Sequence, residues 1–215
     1  MEILFEDREI TVAIKTTDRV SEQTSRKDGF ADLLAARNPS GYIGVVHRLD
    51  RGVGGVMVYA NTPSAAAKLS SQVQSRSFGK KYLAVVHGTP EASNGRLTDL
   101  LFHDRVKNKT YTVERKRNGV KEAILDYECL GTISDAQLGT ISLLSITLQT
   151  GRTHQIRVQF ASRGLPLVGD RKYGAPTSGE IALFCTEITF RHPKSDKPMC
   201  FSQKPTGEIW TEFDQ

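Results

Sequence analysis

The sequence has few cysteines, and the three that it has, Cys129, Cys185 and Cys200, are widely separated and form no C-x-x-C pair. An odd number of distant cysteines argues against a disulfide framework and against a cysteine-ligated zinc site. The five histidines show no metal-ligand spacing either. We therefore expect the protein to hold no metal.

Long hydrophobic runs are also absent. No window of the sequence approaches the roughly 18 uninterrupted apolar residues that a membrane-spanning helix needs. Residues 1–7 are acidic and lack the basic start and the cleavage site of a signal peptide. A composition with 38% hydrophobic and 25% charged residues is that of an ordinary globular protein. We expect no membrane partner and a cytoplasmic location.

Positive charge is in excess. The net charge is +5 and the sequence pI is about 9.1, values that suit a polyanionic partner such as a nucleic acid. Residues 105–121, called the basic segment below, concentrate this charge around Tyr111; its cations are Arg105, Lys107, Lys109, Arg115, Lys116, Arg117 and Lys121. The segment is either a solvated hairpin or loop, or an arm that contacts phosphates.

The hydrophobic pattern predicts mostly strands. Alternating or β-branched runs predict strands at residues 9–15, 56–60, 80–88, 123–130, 140–149, 181–190 and 198–202, with a polar loop at 131–139. Helices are predicted at residues 29–37 and 152–162, and a third begins after Asn61-Thr62-Pro63-Ser64, an N-cap with proline in the first turn. We predict a single α+β domain over residues 1–215 with a mixed, mostly antiparallel sheet.

The segment around Asp50 combines an acid, two arginines and a glycine-rich turn. Asp50 stands between Arg48 and Arg51, and Gly52-Val53-Gly54-Gly55 follows. Positive charge nearby favours the ionised form of a carboxylate. Asp50 is therefore either a catalytic carboxylate at the mouth of a cleft or one half of a structural ion pair.

Two further segments contain candidate functional residues. Tyr82, in Lys80-Lys81-Tyr82, is either a core residue or a functional side chain that stacks on a base or uses its hydroxyl at a reaction centre. Residues 149–157 are too polar for an ordinary core segment and suit phosphate and nucleotide contacts. One of the two arginines in that segment is a candidate partner for Asp50.

Together these segments resemble the RluA-type RNA pseudouridine synthases. Val46-His47-Arg48-Leu49-Asp50 is similar to the family's H-R-L-D signature, and residues 81–88, K-Y-L-A-V-V-H-G, resemble its K-Y-x-A-x-V-x-G segment. Residues 150–157 and 164–174 resemble its long third motif, and His192-Pro193 resembles a turn near its C-terminus. The resemblance runs from about residue 3 to residue 205.

The resemblance implies an α+β catalytic fold with a central RNA-binding cleft and an isomerase that needs no cofactor and no metal. It implies that Asp50 is the catalytic aspartate, that Tyr82 packs on the target base and that Arg157 pairs with Asp50. Ile156 matches a residue that lines the base pocket, and Arg48 matches one that fills the space of the flipped-out uridine. The remaining residues expected to bind substrate are His47, Arg152, His154 and Gln155.

The sequence departs from the family pattern in two places. Val53-Gly54 stands where the family has Thr-Ser, and Lys15-Thr16 stands where it has Lys-Pro. We expect no S4-like domain at the N-terminus, so that RNA affinity comes from the catalytic domain and the basic segment. The expected substrate is a uridine in structured RNA, either rRNA or tRNA, and the expected state is a monomer. A catalytically impaired RNA-binding relative is the alternative.

Overall fold

Eleven strands and four short helices make up the described part of the chain, residues 1–213, in the computed structural model. In chain order they are β1 (Glu2–Glu6), β2 (Ile10–Lys15), α1 (Phe30–Ala35), β3 (Gly44–Val45), β4 (Gly54–Ala60), α2 (Pro63–Gln74), β5 (Gly79–His87), β6 (Asn94–Asp104), β7 (Lys109–Val113), β8 (Val120–Asp135), β9 (Gly139–Leu148), α3 (Gln155–Ala161), a 3₁₀ turn (Arg171–Tyr173), β10 (Leu183–Arg191), β11 (Pro198–Ser202) and α4 (Glu208–Thr211). This content confirms the predicted α+β class.

The chain divides into two units. The first contains Met1–Lys80 and Phe184–Lys204. The second contains Lys81–Leu183 and the residues from Pro205 onward. Each predicted helix falls within one unit, whereas β5 and β10 begin in one unit and continue in the other.

The first unit contains a mixed sheet. Its strands follow the order β1, β2, β4, β10, with β3 also paired to β4 and β11 paired to β10. All of these pairs are antiparallel except β4 with β10, which run parallel with Gly54 opposite Phe184 and Gly55 opposite Cys185. Every residue of β4 is buried, in keeping with the continuous apolar run that predicts it.

Helix α2 begins where the sequence predicts. The Thr62 side chain accepts a hydrogen bond from the Ala65 N–H at 3.1 Å, and Pro63 occupies the first turn, where no backbone donor is needed. Ala65 and Leu69 lie on its buried face. Lys68, also on this helix, donates from Nζ to the carbonyl of Pro193 at 2.7 Å, and Pro193 lies in the turn after β10.

The second unit contains antiparallel strands in the order β5, β9, β8, β6, β7. The loop predicted at residues 131–139 is wrong in most of its length, because β8 continues to Asp135. Only a short turn remains, closed by the Asp135 carboxylate, which accepts from the backbone N–H groups of Gln137 and Leu138. The strand persists because Ile133 packs against a buried core cluster, a contact that the polar local sequence conceals.

Strands β6 and β7 form a hairpin, one of the structures that the sequence allows for the basic segment, although neither strand is itself predicted. It pairs Leu100 with Val113 and closes with Asp104 opposite Lys109. The Asp104 carboxylate accepts from the N–H groups of Val106 and Lys107 and so fixes the turn. The hairpin places the first half of the basic segment on an ordered scaffold.

No helix within residues 1–213 is long and apolar enough to cross a membrane. The same residues contain no group of three or more His, Cys, Asp or Glu side chains that could hold a metal ion.

Candidate active site

The predicted site residues fall into two groups, one in each unit. His47, Arg48 and Asp50 belong to the first unit. The second unit contains the rest of the predicted residues, namely Tyr82, Arg152, His154, Gln155, Ile156 and Arg157.

Asp50 lies in a tight turn that leads into β4. The Val53 N–H donates to the Asp50 carbonyl at 3.1 Å, and the Gly52 N–H donates to the Thr17 carbonyl at 2.9 Å. On the approach to the turn, the Ser21 hydroxyl donates to the Leu49 carbonyl at 2.8 Å and accepts from the Leu49 N–H at 3.0 Å. The backbone on both sides of Asp50 is therefore held by hydrogen bonds, and its side chain is partly exposed.

A buried lysine stabilises the same turn. Lys15, at the end of β2, has no exposed surface, and its Nζ donates to the carbonyls of Val53 at 2.8 Å, Thr16 at 2.9 Å and Asp50 at 3.4 Å. Burial lowers the pKa of Lys15 to about 8, and the neighbouring Asp50 carboxylate opposes that shift. Lys15 is thus a cation beside the candidate catalytic carboxylate that was not predicted as a site residue.

The replacement of Thr-Ser by Val53-Gly54 leaves the turn supported. Val53 is only 2% exposed and packs into the core, while its carbonyl binds Lys15. Gly55 has a φ of +136°, and a Cβ there would come within 2.5 Å of the backbone N and O of Cys185. Only glycine fits that position. The backbone around this pair is bound by Lys15 and Ser21.

His47 is buried at the base of the segment. Its Nε2 accepts from the Val58 N–H at 3.2 Å, which requires the proton of the neutral ring to be on Nδ1. Burial, with a smaller effect from Lys80, lowers the pKa of His47 well below its ordinary value. Its ring lies against Phe78, with centroids 4.9 Å apart. These contacts anchor the segment to β4, and a contact of His47 with substrate stays a prediction.

Arg48 extends from the surface. It forms an ion pair with Glu22, and both side chains are substantially exposed. Lys15 thus brings positive charge to the Asp50 turn, whereas Arg48 pairs with the carboxylate of Glu22. Displacing such an exposed pair costs little, about 1 kcal/mol or less.

In the second unit, Tyr82 and Ile156 are buried. Tyr82 lies on β5 opposite Ile146 of β9 and is 5% exposed. Ile156 is in the first turn of α3 and is 4% exposed. Their fixed positions suit side chains that would present an apolar wall to a base.

Arg157 and Asp170 form a buried ion pair. Arg157 Nε donates to Asp170 Oδ2 at 2.6 Å, and Nη2 donates to Oδ1 at 2.8 Å. The side chains are 6% and 1% exposed. A two-point contact of this kind fixes the plane of the guanidinium as well as its position. Asp170 was not predicted as a site residue, although it belongs to the third motif.

Tyr173, in the 3₁₀ turn after Asp170, contacts the same arginine. The Arg157 Cζ lies 5.1 Å from the centroid of the Tyr173 ring. The Tyr173 hydroxyl accepts from the Thr110 N–H at 2.8 Å and hydrogen-bonds to His154 Nδ1 at 2.8 Å. Burial raises the pKa of Tyr173, so the hydroxyl keeps its proton at neutral pH. After Lys15 and Asp170, it is a third residue of the site that the sequence does not predict.

The polar residues before α3 form a packed network. Gln155 Oε1 accepts from the Thr150 hydroxyl and the Arg152 N–H, and its Nε2 donates to the Ile124 carbonyl. Arg152 Nε donates to the Glu122 carbonyl at 2.9 Å. These bonds explain why so polar a segment can be buried. Phosphate contacts by Arg152, His154 and Gln155 stay predictions.

The basic segment is exposed. Six of its seven cations are exposed, and the seventh, Lys109, is half-buried. Lys109 Nζ lies 5.4 Å from the ring centroid of Tyr173 and 5.8 Å from that of Tyr111, and Arg117 lies 5.0 Å from that of Phe102. The aromatic rings restrict where these two cations can be presented.

Comparison with known proteins identifies the family. A family model described as RNA pseudouridylate synthase matches residues 10–162, well over half of the chain. The chain is 36% identical over 169 residues to an uncharacterized RNA pseudouridine synthase of Aquifex aeolicus, covering 74% of this chain and 52% of that protein. It is 33% identical over 168 residues to ribosomal large subunit pseudouridine synthase C of Buchnera aphidicola, with the same two coverages. The chain thus spans about half the length of these curated relatives.

The fold is shared with solved structures. Human RNA pseudouridylate synthase domain containing 1 superposes with a TM-score of 0.77 at 21% identity, over 95% of this chain and 83% of that one. Human RNA pseudouridylate synthase domain containing 4 superposes with a TM-score of 0.78 at 20% identity, over 99% and 91%. The family model and the curated relatives confirm the predicted resemblance: the chain belongs to the RNA pseudouridylate synthase family.

Proposed function

We propose that this chain isomerises a uridine in structured RNA, either rRNA or tRNA, to pseudouridine, with Asp50 as the catalytic carboxylate. Family membership supports the reaction class. The observation that carries the assignment of Asp50 is its turn, whose backbone is bound by Lys15 and Ser21 although the usual Thr-Ser pair is missing. A turn so restrained can hold a carboxylate in one place for reaction.

The reaction moves the base from one linkage to another. The bond between ribose C1′ and uracil N1 breaks, a bond between C1′ and C5 forms, the C5 proton leaves and N1 gains a proton. Asp50 either attacks C1′ or removes the C2′ proton, and both routes need an ionised carboxylate. The chemistry requires that the uridine leave its stack, at a cost of a few kcal/mol.

The other roles follow from the motif positions. Tyr82 stacks on the flipped base and assists proton removal from C5, and Ile156 lines the base pocket. Arg157 supplies a positive charge that pairs with Asp50, and the ion pair with Asp170 orients that arginine. Arg48 fills the space left by the base, which requires release of its exposed contact with Glu22. A pairing of Arg157 with Asp50 stays a prediction.

RNA affinity comes in large part from the basic segment. Its exposed cations suit phosphate contacts, which dominate affinity for nucleic acids and carry little sequence information. The β6–β7 hairpin supplies the ordered scaffold for the first half of the segment. The expectations of a monomer and of a cytoplasmic location remain predictions.

The decisive experiment is a map of pseudouridine across the RNA of cells that lack this protein. Reintroducing the native chain, Asp50→Asn or Asp28→Asn tests the assignment, where Asp28 is an exposed carboxylate of the same unit. We expect the native chain and Asp28→Asn to restore the missing modifications and Asp50→Asn to restore none. Restoration by Asp50→Asn would refute the catalytic role. Binding of RNA by the native chain, with no site restored, would establish the non-catalytic alternative.

A further inference from the structure

Strand β6 of the β6–β7 hairpin is paired with β8, and the tip of the hairpin contacts the 3₁₀ turn at Arg171–Tyr173. The Tyr173 hydroxyl accepts a hydrogen bond from the Thr110 N–H, and Nζ of the adjacent Lys172 donates to the Asn108 carbonyl at 2.7 Å. Asn108 lies in the turn that closes the hairpin, and Thr110 lies just beyond it on β7. Two neighbouring side chains therefore bind the hairpin near its tip.

The same hydroxyl also binds the beginning of α3. Tyr173 Oη lies 2.8 Å from Nδ1 of His154, the residue that caps the helix with a left-handed backbone conformation. A second bond joins the two segments directly, because the Thr110 hydroxyl donates to the Thr153 carbonyl at 2.8 Å. Thr110 is only 1% exposed, so loss of the Tyr173 hydroxyl would leave a buried N–H without an acceptor.

The ring of Tyr173 contacts one cation from each side of this junction. Lys109, from the hairpin, lies 5.4 Å from the ring centroid, and Arg157, from α3, lies 5.1 Å from it. A cation over an aromatic face is held by attraction to the ring quadrupole. One side chain thus restrains a cation of the basic segment and the arginine that Asp170 orients.

We propose that Tyr173 is a positioning residue of the isomerisation: its hydroxyl holds the basic hairpin in place for RNA, and its ring holds Arg157 in place for the reaction. The proposal rests on the function proposed above. It assigns the two parts of one side chain to two separable steps, RNA binding and turnover.

Tyr173→Phe and Tyr173→Leu separate the two roles. The first removes only the hydroxyl, and the second removes the ring as well. Tyr127→Phe is the matched control, because its hydroxyl donates to the Ala92 carbonyl at 3.2 Å in an exposed position of the same unit. Large-subunit rRNA and bulk tRNA from cells without the protein, both tritiated at uridine C5, serve as substrates, since reaction releases the C5 hydrogen.

For Tyr173→Phe we expect KM for RNA to rise about fivefold with kcat little changed, the scale of one lost hydrogen bond. For Tyr173→Leu we expect kcat also to fall about tenfold, because Arg157 loses its aromatic contact as well. Tyr127→Phe should match the native chain in both constants. Hydrogen exchange at Thr110 should accelerate in both Tyr173 variants and not in the control.

A merely structural role would lower the melting temperature and the active fraction while leaving KM unchanged, and that result would overturn the proposal. Equilibrium binding of the same two RNA pools provides a readout independent of turnover. If the native chain releases no tritium, the proposed function fails, and the positioning role is then decided by binding alone. Weaker binding by Tyr173→Phe would sustain the hairpin role, and unchanged binding with accelerated exchange would overturn it.

Discussion

The guanidinium of Arg157 donates to both carboxylate oxygens of Asp170, over 2.6 and 2.8 Å, in a pair that is almost completely buried. Arg157 is the arginine that we propose as the partner of Asp50. Its orientation is therefore set within its own unit by a second acid. The Asp170 carboxylate therefore holds the guanidinium of Arg157 in a fixed position.

Replacing Asp170 with asparagine should destabilise the fold strongly. Breaking one side of a buried ion pair leaves an uncompensated charge and typically costs about 3–5 kcal/mol. Denaturant unfolding measures the loss, and turnover of the folded fraction should fall with it. The control is Asp126→Asn, since Arg96 and Asp126 form the same two-point contact at the surface. An equal loss in both variants would contradict the role given to burial.

Lys15 should make stability depend on pH in the alkaline range. Its pKa is about 8 in the fold and 10.5 in the unfolded chain, so between these values the unfolded chain binds more protons. The free energy of unfolding contributed by this group therefore rises as pH increases from about 8 to 10.5. Denaturant unfolding of the native chain and of Lys15→Met across this range checks the sign. The rise should be absent from the variant, and a parallel pH profile in both proteins would refute the assignment.

Gly55→Ala should disrupt the turn that holds Asp50. The added Cβ would lie 2.5 Å from backbone atoms of Cys185, which cannot move aside as a flexible side chain would. We expect a loss of stability of more than about 1 kcal/mol, together with loss of activity. Gly41→Ala is the control, because Gly41 also has a positive φ, of +66°, but a Cβ there meets nothing within 4 Å. Similar melting temperatures for the two variants would show that the close contact is unimportant.

Neutralising Lys116 and Arg117 should reduce the salt dependence of RNA binding. Each phosphate contact contributes about one to the slope of log affinity against log salt concentration, so the double variant should lose about two. Titrations at several salt concentrations measure the slope. Neutralising Arg26 and Lys27, exposed cations of the first unit, should leave it unchanged. An unchanged slope for the first pair would remove that part of the basic segment from the RNA surface.

Local signals were sufficient for some elements and not for others. Helix α2 is predicted from an N-cap threonine and a proline, which act within one turn of the chain. Strands β6 and β7 are not predicted because their residues show no clear alternation of apolar and polar types. The polar residues at the end of β8 predict a loop because they conceal the packing of Ile133.

The site shows the same division. The motifs predict Asp50, Tyr82 and Arg157, but they do not predict which side chains restrain the Asp50 turn and Arg157. Lys15 reaches the Val53 carbonyl across 38 residues, and Tyr173 reaches the Thr110 N–H across 63. No local pattern of charge or hydrophobicity specifies such a pair.

The sequence by itself determined the family and the candidate catalytic residues, because these depend on residue types at fixed spacing along the chain. Tertiary structure decided what holds those residues in place. Only folding buries Lys15 beneath the Asp50 turn and Asp170 beside Arg157. Burial gives such contacts their strength, since a charge removed from water must find a partner.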